Sequence, residues 1–185
     1  MRRVFAVIVI LLFLVGCGSD DHMNRALSLR EQLLKSNGCT FDAVVTADYG
    51  DAIYTFSMNC QTDKNGNLFF AVTDPETIKG INGRIDENSG SLTFDSQVLA
   101  FETLADGQIT PVSAPWILIH TLRGGYLASC GKDESGLRIR IDDSYEEDAL
   151  LLDIWLDDSN LPFRGEILWQ GRRVVSIDVR NFSYL

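Results

Sequence analysis

The chain has 185 residues, of which 45% are hydrophobic, and it carries a formal net charge of −10 at pH 7. This length and apolar share suit one globular domain with its own core. The negative charge predicts repulsion from nucleic acid and from anionic lipid head groups, so we expect no nucleic-acid partner.

The first residues have the pattern of a secretory signal. Arg2 and Arg3 form a short basic segment, and the apolar run 4–15 that follows is shorter than a membrane-spanning helix. Leu14-Val15-Gly16-Cys17 resembles a bacterial lipobox, in which the signal is cut before the cysteine and the thiol carries diacylglycerol. We therefore predict a signal peptide over 1–16, a tether over 17–23 lipidated at Cys17, and anchoring on the extracytoplasmic face of the cell membrane. A plain signal peptide with an incidental cysteine is the alternative.

An amphipathic helix is predicted directly after the tether, over residues 25–36. Asn24 is a typical N-cap residue, and Asn37-Gly38 is a typical helix end. Apolar residues recur between them at helical spacing: Ala26, Leu29, Leu33 and Leu34. A helix with one apolar face commonly packs on the sheet of its own domain, although such a face also suits a partner helix.

Two runs of alternating apolar and polar residues predict a β-hairpin over residues 39–60, folded about Tyr49-Gly50. A two-residue loop places Phe41 opposite Met58 and gives the hairpin one apolar and one mostly polar face. A three-residue loop over 64–66 then adds a third strand to the same apolar face, with Phe70 opposite Cys60. The sheet is therefore expected to have one side against the core and one side in water.

Three cysteines follow Cys17, and the predicted extracytoplasmic location is oxidising. In the two-residue register Cys39 lies opposite Cys60 at a non-hydrogen-bonded position, where the Cβ atoms of a strand pair are closest. We therefore predict a Cys39–Cys60 disulfide; a bridge that uses Cys130 and three buried free thiols are the alternatives.

The middle of the chain combines strands with one helix. Residues 78–86 and 91–95 predict a further hairpin, with a strand over 98–103 after it. Ser113 as a cap, a proline in the first turn and Gly124-Gly125 at the end predict a short helix over 113–123. Its surface is apolar on nearly all sides, which predicts burial.

Strands resume in the last third of the chain and end in a tight hairpin at Gln170-Gly171. They are predicted over 137–142, 149–156, 163–169 and 172–182. The elements together predict one mainly β domain over 24–185. Its antiparallel sheet of about 8–11 strands must curl into an incomplete β-barrel, with the N-terminal and mid-chain helices on the concave face.

This order of elements resembles the LolA/LolB-like lipoprotein carrier superfamily, which includes LppX- and LprG-type lipoproteins. The C-terminal part is similar to that superfamily's closing hairpins, through Ile154-Trp155-Leu156-Asp157, Leu161-Pro162, Glu166-Ile167-Leu168 and Gly171-Arg172-Arg173-Val174-Val175-Ser176-Ile177. The chain looks most like small lipoproteins of this fold class from Gram-positive bacteria. The resemblance implies a half-barrel whose cavity takes acyl chains of lipoproteins or lipids.

We predict a membrane-anchored lipoprotein, not an enzyme, that binds a hydrophobic ligand between the concave face and the mid-chain helix. The candidate lining residues are Phe41, Val45, Tyr54, Phe56, Met58, Phe70, Val72, Trp116 and Ile119. Such stripes of aromatic, methionine and other apolar side chains along a strand are more often part of an ordinary core than the lining of a cavity. The alternative is therefore a protein-interaction or envelope sensor module, with a filled core, no small-molecule ligand and another envelope protein as its partner.

No catalytic or metal site is predicted. The two histidines are His22 in the tether and His120 on the mid-chain helix, and the sequence supports no Ser/His/Asp or Cys/His set. His120 suits an ordinary helix histidine better than a general base. The acidic groups at 142–143, 146–148 and 157–158 lack the ligand spacing and glycine of a calcium loop, which favours a solvated acidic rim. We expect no catalytic residue, no metal and no cofactor.

Overall fold

The computed structural model of the chain describes residues 19–86, 103–143 and 149–185. Its helices are α1 (Ser19–Lys35), a short 3-10 helix (Pro111–Ser113) and α2 (Ala114–Gly124). Its strands are β1 (Cys39–Asp48), β2 (Ile53–Thr62), β3 (Leu68–Asp74), β4 (Asn82–Ile85), β5 (Tyr126–Asp133), β6 (Gly136–Asp142), β7 (Leu151–Leu156), β8 (Pro162–Trp169) and β9 (Arg172–Tyr184). The predicted signal peptide, the predicted lipidation site Cys17, the predicted strand over 91–95 and most of the predicted strand over 98–103 lie outside the described residues.

The nine strands form one curled antiparallel sheet that is open between its edge strands β4 and β5. Their order across the sheet is β4-β3-β2-β1-β9-β8-β7-β6-β5, so the first and last of the described strands pair at the centre. Backbone hydrogen bonds join the two ends, from the N–H of Asn37 to the carbonyl of Leu185 (3.0 Å) and from the N–H of Leu185 to the carbonyl of Gly38 (2.9 Å). β1 is therefore an interior strand, paired with β2 on one side and with β9 on the other.

One face of the sheet and both helices contribute side chains to a single core. In β1 the exposure alternates at every residue, with Phe41, Ala43, Val45 and Ala47 buried and the residue between each pair partly exposed. Helix α1 buries its apolar positions Ala26, Leu29 and Leu33, whereas Leu34 is 53% exposed. Helix α2 buries most of its length, including Leu118, against which a Cβ at Gly165 of β8 would come within 2.9 Å.

Helix α1 starts earlier than its sequence indicates. It begins at Ser19, so Asn24 lies inside the helix and the predicted N-cap is wrong. Its end agrees with the prediction, because Lys35 is the last helical residue and Gly38 follows with φ = 136°. A Cβ at Gly38 would lie 1.9 Å from the carbonyl oxygen of Thr62, so only glycine fits where the chain turns from α1 into β1.

The register of the first hairpin differs from the prediction by two residues. Phe41 lies opposite Cys60 and Val45 opposite Phe56, because the loop has four residues, 49–52, rather than two. The carboxylate of Asp48 accepts the N–H of Gly50 at 2.8 Å, which fixes the first half of this longer loop. A shift of two leaves each side chain on its predicted face. The partners are wrong, and the apolar face is right.

The predicted Cys39–Cys60 disulfide is absent from the structure. In the observed register Cys39 lies beside Thr62, whose hydroxyl accepts the Cys39 N–H at 3.0 Å. Cys39, Cys60 and Cys130 are all free thiols. Burial is the main cause that raises the pKa of both the Cys39 and the Cys60 thiol, so these two side chains are neutral, small core residues.

Other turns and strands agree with the sequence more closely. The β2–β3 register is confirmed, with Cys60 opposite Phe70 and Met58 opposite Val72. The tight β8–β9 turn is also confirmed, with positive φ at Gln170 (50°) and Gly171 (77°). Strand β5 was not predicted. It is an exposed edge strand interrupted by a bulge, so it has no clear apolar alternation.

Candidate functional site

Seven of the nine predicted lining side chains are packed inside the core. Each is at most 4% exposed, and all belong to the same cluster. They are Phe41, Val45, Phe56, Met58, Phe70, Val72 and Ile119. For these positions the structure agrees with the ordinary core interpretation.

The other two predicted lining residues have different environments. Tyr54 is 58% exposed at the loop end of the first hairpin, where its ring makes an edge-to-face contact with Tyr49 at 5.7 Å. Trp116 lies on α2 at the border of a cavity. Tyr54 and Trp116 therefore do not belong to one site. Of the nine predicted lining residues, Trp116 is the one that lines this cavity.

This cavity, the mid-chain cavity, has a volume of about 420 Å³. Its apolar wall is formed by Ile85 of β4, Trp116 and Ile117 of α2, and Leu150 just before β7. Its polar side chains are Asp86, Gln108, Ser113, His120, Thr121 and Asp143. Apolar walls with a few polar groups are typical of small-molecule sites in this range of volume.

Helix α2 supplies four of these side chains from one face. Trp116, Ile117, His120 and Thr121 recur at the three-to-four-residue spacing of neighbours on a helix surface. The Trp116 and His120 rings stack with their centroids 4.6 Å apart. The signal for this face in the sequence is the pair His120-Thr121, which is polar within an otherwise apolar helix.

The hydroxyl of Thr121 is the unusual polar group at the mid-chain cavity. Thr121 is 1% exposed, and its Oγ1 has no hydrogen-bond partner. Buried hydroxyls nearly always have a partner, because leaving one unpaired costs about 1–3 kcal/mol. This atom is therefore an unpaired donor and acceptor that neighbouring side chains cover, next to an apolar cavity.

Asp143 adds a carboxyl group with a raised pKa to the same cavity. Burial raises its pKa above the ordinary value for aspartate, and the neighbouring charge of Asp142 adds to this effect. The backbone N–H of Leu150 donates to Asp143 Oδ1 at 2.8 Å and opposes part of the shift. The carboxyl is thus held in place beside Leu150 of the apolar wall.

Arg30 of α1 fixes the far end of α2. Its Nε donates to the carbonyl of Leu122 and its Nη2 to the carbonyl of Gly125, both at 2.7 Å. These carbonyls are at the helix C-terminus, where cations stabilise the partial negative charge. The bonds couple α1 to α2, so the position of Trp116 and Thr121 depends on both helices.

Residues that sequence reasoning had not singled out form most of the wall. Ile85, Ile117 and Leu150 belong to three separate segments of the sequence, and they meet only in the folded chain. Over residues 19–86, 103–143 and 149–185, no group of three or more His, Cys, Asp or Glu side chains could hold a metal ion. None of the helices described here is long and apolar enough to cross a membrane.

Comparison with known proteins identifies similar folds among solved structures. No family model and no curated protein matches the chain. A LolA superfamily protein from Nitrosomonas europaea is 10% identical with a TM-score of 0.38, and the match covers 85% of this chain and 92% of that one. A putative outer membrane lipoprotein-sorting protein domain from Vibrio parahaemolyticus is 7% identical with a TM-score of 0.39, covering 90% and 93%.

A third solved structure, MucB, is 15% identical with a TM-score of 0.44. The match covers 90% of this chain but only 59% of MucB, and the MucA/MucB complex of Pseudomonas aeruginosa also matches. The structural neighbours thus include LolA superfamily proteins, as the sequence resemblance predicts. With TM-scores below 0.5, these likenesses carry no argument about ligand or partner.

Proposed function

We propose that the chain is an extracytoplasmic lipoprotein, anchored through Cys17, that binds an acyl chain or another hydrophobic ligand in the mid-chain cavity. The cavity would then lie on the concave side of the half-barrel, beside α2. The observation that carries this proposal is an apolar wall of four side chains around about 420 Å³. The predicted site at Phe41, Phe56 and Met58 is replaced by this one, because those side chains are packed.

The chemistry of the cavity suits a ligand with an apolar chain and a polar end. Each methylene moved from water into the apolar wall contributes about 0.8 kcal/mol. Polar side chains that line the cavity, among them Ser113 and Asp143, would bond to the polar end. No side chain of this site acts as a nucleophile or base in the proposal, so the role is binding and not catalysis.

A matched pair of substitutions tests where the ligand binds. Ile117→Phe fills part of the mid-chain cavity, whereas Ile53→Phe makes the same change at a position that is 67% exposed. Protein lacking the anchor is analysed by native mass spectrometry, with organic extraction of what co-purifies, and titrated with a fluorescent fatty acid. We expect Ile117→Phe to weaken uptake about tenfold and Ile53→Phe to leave it unchanged.

Two results would contradict the proposal. Repeated recovery of an empty protein that takes up no fatty acid would remove the carrier function. Uptake that Ile117→Phe leaves intact would move the ligand to another part of the molecule. Lipid anchoring is tested separately, since Cys17→Ala should abolish the diacylglycerol mass increment and release the protein from the membrane fraction.

A second function, a protein-interaction module, is favoured by the packed face of β1–β3 and by the exposed loop end of the first hairpin. Ile53 and Tyr54 are 67% and 58% exposed there, which is unusual for residues of their size. A photo-crosslinking amino acid at position 54, used in living cells, should trap an envelope protein if this function holds. Crosslinks that also form from a control position on α1, such as Leu27, would argue against a specific surface.

A further inference from the structure

The outer face of the sheet, opposite the core, contains a groove of about 500 Å³ across β1, β2 and β3. We call it the outer groove. Side chains that point away from the core line it: Thr40, Asp42, Asn59, Gln61, Phe69 and Asn181. Ala71 lies between larger neighbours, and its small side chain leaves room at the floor of the groove. The mid-chain cavity shares none of these residues.

A carboxylate at the centre of the groove holds two amides in fixed positions. One carboxylate oxygen of Asp42 accepts a hydrogen bond from Asn59 Nδ2, and the other accepts one from Asn181 Nδ2, both at 2.6 Å. Asn181 has a positive φ of 52°, next to the bulge at which the β1–β9 register shifts. Bulges of this kind redirect side chains and are common beside binding sites.

The fixed amides keep hydrogen-bonding capacity directed at solvent. Each retains its carbonyl oxygen and its second N–H after the bond to Asp42. Gln61 adds a further exposed side-chain amide. Asp42 keeps its negative charge, but both of its oxygens are already bonded to the two amides, so the groups left free in the groove are mainly amide donors and acceptors.

An aromatic ring lies at the β3 end of the same groove. Phe69 is 42% exposed, and the guanidinium of Arg84 on β4 lies over its ring, 5.5 Å from the centroid. The contact with Arg84 steadies the ring, whose remaining surface is apolar and open to solvent. Three strand spacings separate β9 from β3, which gives the strip a length of about 14 Å.

We propose that the outer groove binds a neutral polysaccharide chain. Neighbouring hydroxyls of a sugar ring match the paired donor and acceptor of a fixed amide, and the C–H face of a sugar packs on an aromatic ring. The length of the strip suits several sugar residues in a row. The net charge of −10 repels anionic polymers, so the preferred chain is uncharged.

Calorimetry with oligosaccharides tests this site. The full chain, reconstituted in phosphatidylcholine nanodiscs, is titrated with cellohexaose and with chitohexaose, and empty nanodiscs serve as the blank. We expect at least one of these sugars to bind with a Kd of about 1 mM or below. The same protein should not bind a hexamer of galacturonic acid, which is anionic.

Substitutions in the groove locate the binding. Phe69→Ala and Asn59→Ala should each weaken binding about tenfold, and Phe69→Tyr, which keeps the ring, should retain it. Tyr126→Ala is the matched control, because it removes an exposed aromatic ring (54%) from the opposite edge of the sheet. Circular dichroism confirms that each variant is folded.

Two outcomes overturn the proposal. The first is a folded protein that binds neither sugar. The second is binding that Phe69→Ala and Asn59→Ala leave unchanged, which would place the sugar elsewhere. Neither outcome bears on the mid-chain cavity, whose ligand is tested with a fatty acid and with Ile117→Phe.

Discussion

The first hairpin and the mid-chain helix are both rich in apolar residues, yet they pack differently. The inward side chains of β1 and β2, such as Val45, Phe56 and Met58, are at most 2% exposed and contact one another across adjacent strands. Beside α2 the apolar side chains Trp116 and Ile117 border a cavity of about 420 Å³. Apolar character therefore does not distinguish a filled core from the wall of a cavity.

Geometry explains the contrast. In the hairpin, hydrogen-bonded strands hold opposite side chains about 4.5–5.5 Å apart, which leaves no space between them. The wall of the mid-chain cavity comes from α2, the end of β4 and the residue before β7, which no shared hydrogen-bond ladder holds together. We expect substitutions in the hairpin to cost stability and matched substitutions at the cavity to cost less.

The largest expected change in the free energy of unfolding comes from truncating aromatic side chains in the two regions. Phe56→Ala should lower the free energy of unfolding by about 4 kcal/mol, because it leaves a void in a filled core. Trp116→Ala should cost only about 2 kcal/mol, because one side of that ring already faces a cavity. Urea denaturation followed by circular dichroism measures both. Equal losses would mean that the two environments are packed alike.

Adding volume should separate the two regions in the opposite direction. Ala43→Leu enlarges a side chain that is 1% exposed in β1 and should destabilise the protein by about 2 kcal/mol through overpacking. Ile117→Phe should cost less than about 1 kcal/mol, since the cavity can accept the ring. Thermal unfolding of the two variants checks this. A severe loss at Ile117 would show that the cavity cannot accommodate the added atoms.

Two buried threonines give a smaller and more specific contrast. Thr62 accepts the Cys39 N–H at 3.0 Å, so Thr62→Val should cost about 1–2 kcal/mol by leaving that donor unpaired. Thr121 has an unpartnered hydroxyl, so Thr121→Val should be neutral or stabilising by about 1 kcal/mol. Both replacements preserve shape, and chemical denaturation measures the difference. Destabilisation by Thr121→Val would reveal a partner for its hydroxyl.

The sequence predicts the face of each residue in the hairpin better than its partner. Alternation depends only on the period of two along a strand, and this period survives a register error of two. The register itself depends on the loop, where the Asp48 carboxylate bonds to the Gly50 N–H and allows four residues instead of two. The disulfide prediction failed for the same reason, because it required Cys39 to lie opposite Cys60.

Strand β5 and the mid-chain cavity could not be found from local patterns. An edge strand with most of its side chains exposed has no alternation to detect, and Tyr126–Asp133 is such a strand. The cavity results from the distance between α2 and two strands that are far apart in sequence. Only the polar pair His120-Thr121, on an otherwise buried helix, indicates that one side of α2 is not simple core.

The smallest effects concern two carboxyl groups, one in each region, whose pKa values shift in opposite directions. Burial raises the pKa of Asp143 beside the cavity, so its contribution to stability is present at low pH and is lost as pH rises through the raised pKa. Asp48 in the hairpin has a lowered pKa, chiefly because it accepts the Gly50 N–H and lies beside Arg172. Its contribution is present at neutral pH and is lost as pH falls through the lowered pKa.

Replacement of each carboxyl by a neutral amide should therefore have opposite signs at pH 7. Asp143→Asn should stabilise the protein by about 0.5 kcal/mol, and Asp48→Asn should destabilise it. Both differences from the unmodified chain should shrink as the pH falls and the carboxyl groups become protonated. Melting temperatures of each variant and of the unmodified chain, measured from pH 3 to pH 8, check this trend. The other acidic groups titrate alike in both proteins, so their effect cancels in the difference. If Asp143→Asn were destabilising at pH 7, the charged form of Asp143 would have to be stabilised in the fold, and the apolar character of the cavity wall beside Leu150 would be in error.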